Sequence, residues 1–220
     1  MKQFTFMLSL VPIFTFFCRG AIASNVLWVD VLTLRPSQFS VGLREVAAKQ
    51  EKLEELDKDE QRDYLLDHPV PVVIGPCRIL HMLDRHHLSR ALWQAGIGKI
   101  PISIEQDWSS LDEIEFWSRM KNNKWVYLYD QLGVGPHNPS LLPENVATIA
   151  DDPYRSLAWS VREEGGFEKV PELFAEFAWA NFFRSRIRPW NNDQGYRKAV
   201  KRGLELADSD EASYLPGYLH

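Results

Sequence analysis

The sequence predicts an α+β protein: a mixed α/β core over residues 24–107, followed by a mainly helical, aromatic-rich extension over residues 108–220 packed on it. Three observations carry this. In the first half, short β-branched runs alternate with amphipathic stretches in the order strand, helices, strand, strand, helix, strand. Beyond Asp107 the composition shifts, with seven of the eight tryptophans falling between Trp93 and Trp190. No linker separates the halves that is long enough for a freely moving domain, and there is no internal repeat.

Residues 26–34 (VLWVDVLTL) read as a strand, broken by Arg35-Pro36-Ser37-Gln38. Residues 41–56 are helix formers with apolar side chains at Leu43, Val46, Ala47, Leu53 and Leu56 and a charged outer face, and 59–66 form a second short helix. Strands follow at 70–74 and 78–83, with Gly75-Pro76 as the turn between them. Residues 88–95 are helical with Gly96 as their stop, and 99–105 return as a strand. In the second half, 109–122 form a helix capped by Ser110 with Leu111, Ile114 and Trp117 on one side, and 126–129 a short strand. Residues 133–143 are a loop, too poor in glycine to be a phosphate loop. Helices are expected at 154–162, 171–187 (Pro171 in the first turn) and 195–206, with Gly165-Gly166 between the first two and an irregular tail after the last.

The amino-terminal 23 residues stand apart. Lys2 precedes a charge-free apolar run from Phe4 to Cys18, and Ala21-Ile22-Ala23 has the small-x-small pattern of a cleavage site, so a secretory signal peptide cleaved after Ala23 is expected. The run of about 15 residues is shorter than the roughly 20 that span a bilayer. Cleavage removes Lys2 and Arg19 and no acid, which takes the net charge from −5 to −7 and leaves Cys77 as the single thiol, a buried small hydrophobe or a free thiol. One cysteine in a secreted chain excludes an internal disulfide, and the acidic balance argues against general affinity for duplex DNA while leaving room for a local patch.

The chemistry concentrates at His81-Met82-Leu83-Asp84-Arg85-His86-His87-Leu88-Ser89-Arg90, where three of the six histidines lie within seven residues at a strand-to-helix turn. A helix N-terminus offers unpaired N–H groups and a positive dipole end, and imidazole and guanidinium add donors and an acid/base near neutral pH. Strand alternation points His81 away. Asp84 either orients a histidine or caps the helix. The metal is left unassigned: Asp84, His86 and His87 are too nearly contiguous to share one ion easily, although a divalent cation stays open as a cofactor.

The turn resembles that of the ParB/sulfiredoxin superfamily, with Leu34-Arg35-Pro36-Ser37-Gln38-Phe39 upstream and Pro71-Val72-Val73-Ile74 as the strand before it. Asp151-Asp152-Pro153-Tyr154-Arg155-Ser156-Leu157-Ala158-Trp159 and Phe174-Ala175-Glu176-Phe177-Ala178-Trp179-Ala180 extend the likeness to a secreted branch of the ParB-like nuclease family over nearly the whole mature chain. The resemblance implies a ParB/sulfiredoxin-like core and a hydrolase acting on nucleic acid or on a phosphate-containing small molecule. His86 stands at the position of the sulfiredoxin cysteine, so thiol chemistry does not carry over. Leu88 replaces a common arginine, for which Arg85 or Arg90 would substitute.

The expected site is therefore His86 and His87 as general acid/base with Asp84 beside them, and Arg85 and Arg90 on phosphate. Arg184, Arg186, Arg188 and Lys198, interleaved with Trp190 and Tyr196, form a second candidate surface, for nucleic acid; the bland alternative is a helix end followed by a solvated helix face. Asp151-Asp152, Glu105 and Asp107 are weaker carboxylate candidates. A secreted or periplasmic nuclease or phosphodiesterase is the first reading. A non-catalytic nucleotide-, anion- or protein-binding module is the second, and a phosphotransferase the third, disfavoured by the scarcity of nucleotides outside the cytoplasm. The oligomeric state is not legible.

Overall fold

Asp30 divides what the sequence presents as one strand. Its carboxylate accepts the Leu32 N–H at 2.9 Å and caps a 3-10 turn over Val31–Thr33, leaving β1 (Leu27–Asp30) and β2 (Leu34–Arg35) on either side. These two pieces go to opposite edges of a five-stranded sheet whose inner strands are β4 (Val70–Ile74), β5 (Leu80–Met82) and β6 (Lys99–Asp107). The order is β1-β6-β4-β5-β2; β1–β6 and β4–β5 are antiparallel, β4–β6 and β2–β5 parallel. A separate two-stranded ladder pairs β3 (Ser40–Val41) in parallel with β7 (Ala150–Asp151). The structure is a computed structural model and describes residues 26–219; the expected signal peptide lies outside the described residues.

Alternation along β4 builds a core on each face of the sheet. Val70 and Val72 pack with Val46 and Leu53 of α1 (Leu43–Glu55) and Leu88, Ala91 and Leu92 of α3 (His86–Gln94). Val73 turns the other way, against Phe116 and Met120 of α4 (Glu113–Asn122). Each such side chain contributes about 1.5–3 kcal/mol by leaving water. Between α1 and α3, α2 (Lys58–Leu66) starts at a capping box of Asp57 and Glu60. Residues 108–149 belong to these two cores, since Val146 and Ile149 pack with α3 and Leu128 and Leu142 with α4. A third core begins only at α5 (Pro153–Glu163), which packs with α6 (Ala175–Arg184) and α7 (Asp193–Ala207) around Trp179 and Phe183.

Four expectations are corrected. The helix expected over 109–122 starts later, because Asp112 rather than Ser110 caps it by accepting the Glu115 N–H at 2.8 Å; Ile114 is 85% exposed and the buried stripe runs through Phe116 and Met120. Residues 126–129 contribute a single bridge, Gln38 to Tyr127, instead of a strand. The helix expected over 171–187 is shorter at both ends: Phe174 takes a left-handed conformation (φ 64°) just before it, and residues 171–174 cross the surface irregularly. Cys77 is an exposed free cysteine in a tight turn rather than a buried hydrophobe.

At Gly42 the two halves approach closely. A Cβ there would stand 2.7 Å from the Ser156 backbone nitrogen and 2.9 Å from its Cα. Gly42→Ala should destabilise the protein by about 1–3 kcal/mol, read from the urea midpoint; an unchanged midpoint would mean that α1 and α5 are not held in this contact.

Candidate active site

Arg85 precedes α3 in the left-handed region (φ 67°), and no side chain caps the helix among the described residues. Asp84, exposed, accepts only the Arg85 N–H at 2.6 Å, so it stabilises the turn and does not cap α3. The start of α3, Arg85 to Leu88, forms part of the wall of a cleft of about 390 Å³. Its walls come from α1 (Glu45, Lys49), the α3 turn (Asp84, Arg85, His86, His87), α5 (Arg155, Arg162) and the segment 167–177 that leads into α6.

Both histidines are buried, and each uses its Nε2 to hold backbone. Ser37 donates its N–H to His86 Nε2 at 3.2 Å, and Gly42 donates its N–H to His87 Nε2 at 3.1 Å. An acceptor Nε2 places the proton on Nδ1. Burial pulls both imidazoles down to about 4, opposed for His86 by Asp84 and for His87 by Glu45. They are therefore neutral near pH 7, and their Nε2 lone pairs are spent on the fold.

Asp84 and Arg85 apart, the charge in the cleft comes from residues outside the expected set. Glu45, buried on α1, lies 3.4 Å from both His87 Nε2 and Arg155 Nη2 through its Oε2, and 3.5 Å from Lys49 Nζ through Oε1. The Oε2 contacts are close but out of line for hydrogen bonding: Glu45 Oε2, Arg155 Nε and Arg155 Nη1 are buried without a hydrogen-bond partner. Arg155 and Arg162 both bind the carboxylate of Glu176, one through each oxygen. The charges are paired, but a buried polar atom left without a hydrogen bond still costs about 1–3 kcal/mol, and functional sites are where proteins tolerate it. A sequence signal for these residues exists. Arg155 and Glu176 are lone charges inside otherwise apolar helix faces, and Glu45 and Lys49 flank the buried Val46–Leu53 stripe of α1.

The remaining candidates lie elsewhere. Arg90 donates to the Val146 and Ala147 carbonyls and stacks over Trp93, away from the cleft. His81 is buried against Phe116 and Trp117. Asp152 caps α5, and Asp151 accepts the first N–H of α1 at 3.0 Å. Arg184 is bound to Asp152 at 2.5 Å and Arg186 to Glu211 at 3.0 Å, while Arg188 and Lys198 are exposed; none of the four lines the cleft. Tyr196 is buried with its hydroxyl on Ser160 and Ser156 and its ring under Arg44, and the half-buried Trp190 packs between Tyr154 and Tyr196, outside the cleft. Glu105 and Asp107 are exposed on β6, outside the cleft. Among the described residues, no group of three or more His, Cys, Asp or Glu side chains is arranged to hold a metal ion.

The buried imidazoles set the response to acid. His81, His86 and His87 all sit at about 4, below the ordinary 6.5, so the unfolded chain takes up their protons first. Their contribution is complete above about pH 6.5 and is lost as pH falls towards 4, at up to about 3 kcal/mol each. Asp152, raised by burial to about 6, works in the opposite sense between about 4 and 6. Urea unfolding should thus show a net uptake of about two protons in that range, and a fall of several kcal/mol in stability from pH 6.5 to 4. A midpoint that does not move over this interval would contradict neutral, buried histidines.

Comparison with known proteins agrees with this architecture. The sequence model of the family described as "Putative ParB-like nuclease" matches residues 27–185. Among solved structures, the crystal structure of protein Atu1540 from Agrobacterium tumefaciens superposes with a TM-score of 0.82 at 36% identity, covering 89% of this chain and 96% of that one. No curated protein matches. The family match runs from β1 to the end of α6 and so takes in every wall of the cleft; the chain belongs to the ParB-like nuclease family.

Proposed function

We propose that the protein is a hydrolase of phosphodiesters, with the cleft as its active site. One observation carries this reading: an uncapped helix N-terminus opens beside Arg85, Lys49, Arg155 and Arg162, next to a buried carboxylate oxygen that has no donor. The α3 amides and the cations suit the phosphoryl oxygens, where they stabilise the charge that builds up in displacement. Glu45 takes the base role expected of the histidines, since their Nε2 atoms are committed to Ser37 and Gly42. Its Oε2 accepts the proton of the attacking water as the water oxygen bonds to phosphorus. The ester P–O bond then breaks, and the proton passes to the departing alkoxide. The substrate is nucleic acid or a small phosphate ester, and the location is secreted or periplasmic, on the strength of residues 1–23.

A second reading, a binding module for a nucleotide or another anion, is favoured by the neutral histidines, which provide no strong acid near pH 7. It predicts saturable binding without turnover.

Assay with a bis-aryl phosphate and short single-stranded oligonucleotides, with and without divalent cations, separates the two. Glu45→Gln should lower kcat by about a hundredfold or more with little change in the melting temperature; full activity in this variant would end the base assignment. Arg85→Gly separates binding from folding. Removing a non-glycine residue from the left-handed region relieves about 1 kcal/mol, so the variant should be at least as stable as the wild type while binding phosphate esters more weakly. Undiminished binding would remove Arg85 from the site. The amino-terminal sequence of protein recovered from the periplasm or medium should begin at Ser24, and a retained leader would count against secretion.

A further inference from the structure

The proposed hydrolase needs Arg155 and Arg162 for an anion, yet both already hold one. Glu176, in the first turn of α6, places one oxygen on Arg155 and the other on Arg162. The two guanidiniums are seven residues apart on α5 and so lie on one helix face, 7% and 14% exposed, with Glu176 at 18%. A carboxylate that bridges two buried arginines at the wall of a cleft occupies the geometry that a phosphate would take, because both groups present paired oxygens to guanidinium.

The charge balance leads to the same place. With Glu176 bound, the cations Lys49, Arg155 and Arg162 face Glu45, Glu176 and, through Arg162 Nη2 at 2.8 Å, the exposed Glu163, and the histidines are neutral. With Glu176 turned out, the same three cations face Glu45 and, on the exposed side of Arg162, Glu163, so the guanidinium pair is left with an uncompensated positive charge that an entering oxyanion can neutralise. Little has to move. Glu176 is the most exposed of the three bridged groups, and a change of its rotamer frees both arginines without disturbing α5.

We propose that Arg155 and Arg162 form an oxyanion site for a phosphate group, occupied at rest by Glu176, which the ligand displaces. The inference rests on the cleft being an anion-binding centre but does not need it to be catalytic. Glu176 offsets one of the pair's two positive charges while the site is empty, and competition from its carboxylate weakens binding of any anion.

Calorimetric titration of the full chain with inorganic phosphate tests this. Glu176→Gln keeps the side-chain shape and removes the charge, and should bind phosphate about tenfold more tightly than the wild type. Adding Arg162→Ala to it should abolish the gain. Glu176→Asp retains the charge but is too short to bridge both guanidiniums, and should fall between; it serves if the Gln variant does not fold. Phosphate affinity in a folded Glu176→Gln or Glu176→Asp that does not exceed the wild type's overturns the proposal, as does a gain that survives Arg162→Ala. If Glu176→Gln tightens phosphate while no phosphodiester is hydrolysed, the oxyanion site stands and the hydrolase reading falls. If hydrolysis depends on Glu45 and Glu176→Gln leaves phosphate affinity unchanged, the hydrolase reading stands and the displaced carboxylate falls.

Discussion

Two neutral imidazoles hold the cleft together. His86 and His87 are consecutive, and their Nε2 atoms accept N–H groups from Ser37 and Gly42, pinning the connection between β2 and α1 against the start of α3. The same short stretch forms β3, which pairs with β7, so the pin also fixes the strand that runs into the Asp152 cap of α5. Glu45 follows Gly42 by three residues and Arg155 follows Asp152 by three. The angular positions of the base candidate and of the central arginine are thus both set by the two histidine bonds. Protonation of either ring would turn its Nε2 from an acceptor into a donor facing another donor, which is why burial and neutrality go together here.

Much of this was legible in the sequence, and the remainder was hidden for identifiable reasons. The strand and helix order of residues 24–107, the helix at α5 and the placing of the Asp84–His87 turn between strand and helix follow from periodicity, turn chemistry and residue spacing. Asp30 was not legible as a strand breaker, since its effect comes from a local hydrogen bond that an alternating apolar pattern conceals. The histidines announced a site but not their own role: sequence gives an imidazole, while the direction of its proton depends on a backbone donor 45 or 49 residues away. Glu45, Arg155 and Glu176 come from three helices far apart in the chain, and only tertiary packing brings them together. What local sequence does carry is the anomaly of single charges on apolar faces.

The basic segment after α6 teaches the converse. A run of arginines beside aromatic rings looks like a nucleic-acid surface, but Arg184 and Arg186 tie α6 to Asp152 and Glu211, and each lies over an aromatic ring of its own, Tyr154 or Phe182. These guanidiniums serve the helical core, which has to be attached to the sheet domain at the point where α5 begins. Arg184 does this directly, since Asp152 takes the N–H groups of Tyr154 and Arg155 with one oxygen and Arg184 with the other. The arginine that looked like a phosphate contact therefore stabilises the cap that aims Arg155 into the cleft.

The charge lining the cleft constrains what can enter it. Lys49, Arg85, Arg155, Arg162 and Lys169 are matched by Asp84, Glu45, Glu168, Glu172 and Glu176, so the lining as a whole has no net charge while the histidines are neutral. A track for a long polyanion needs a surplus of cations along its length, because affinity for the phosphate backbone grows with the number of phosphates neutralised. Here four of the five cations come from α1, the α3 turn and α5, whereas the 167–177 segment brings Glu168 and Glu172 with the single Lys169. Such an arrangement favours one phosphate group, with the rest of the ligand lying against Phe174, Phe177 and Tyr64 on the walls, over a duplex laid across the surface. The acidic balance of the whole chain does not oppose the proposed phosphate site: the field that matters is local, inside a low-dielectric cleft where a pair of buried guanidiniums outweighs the charge of the distant surface.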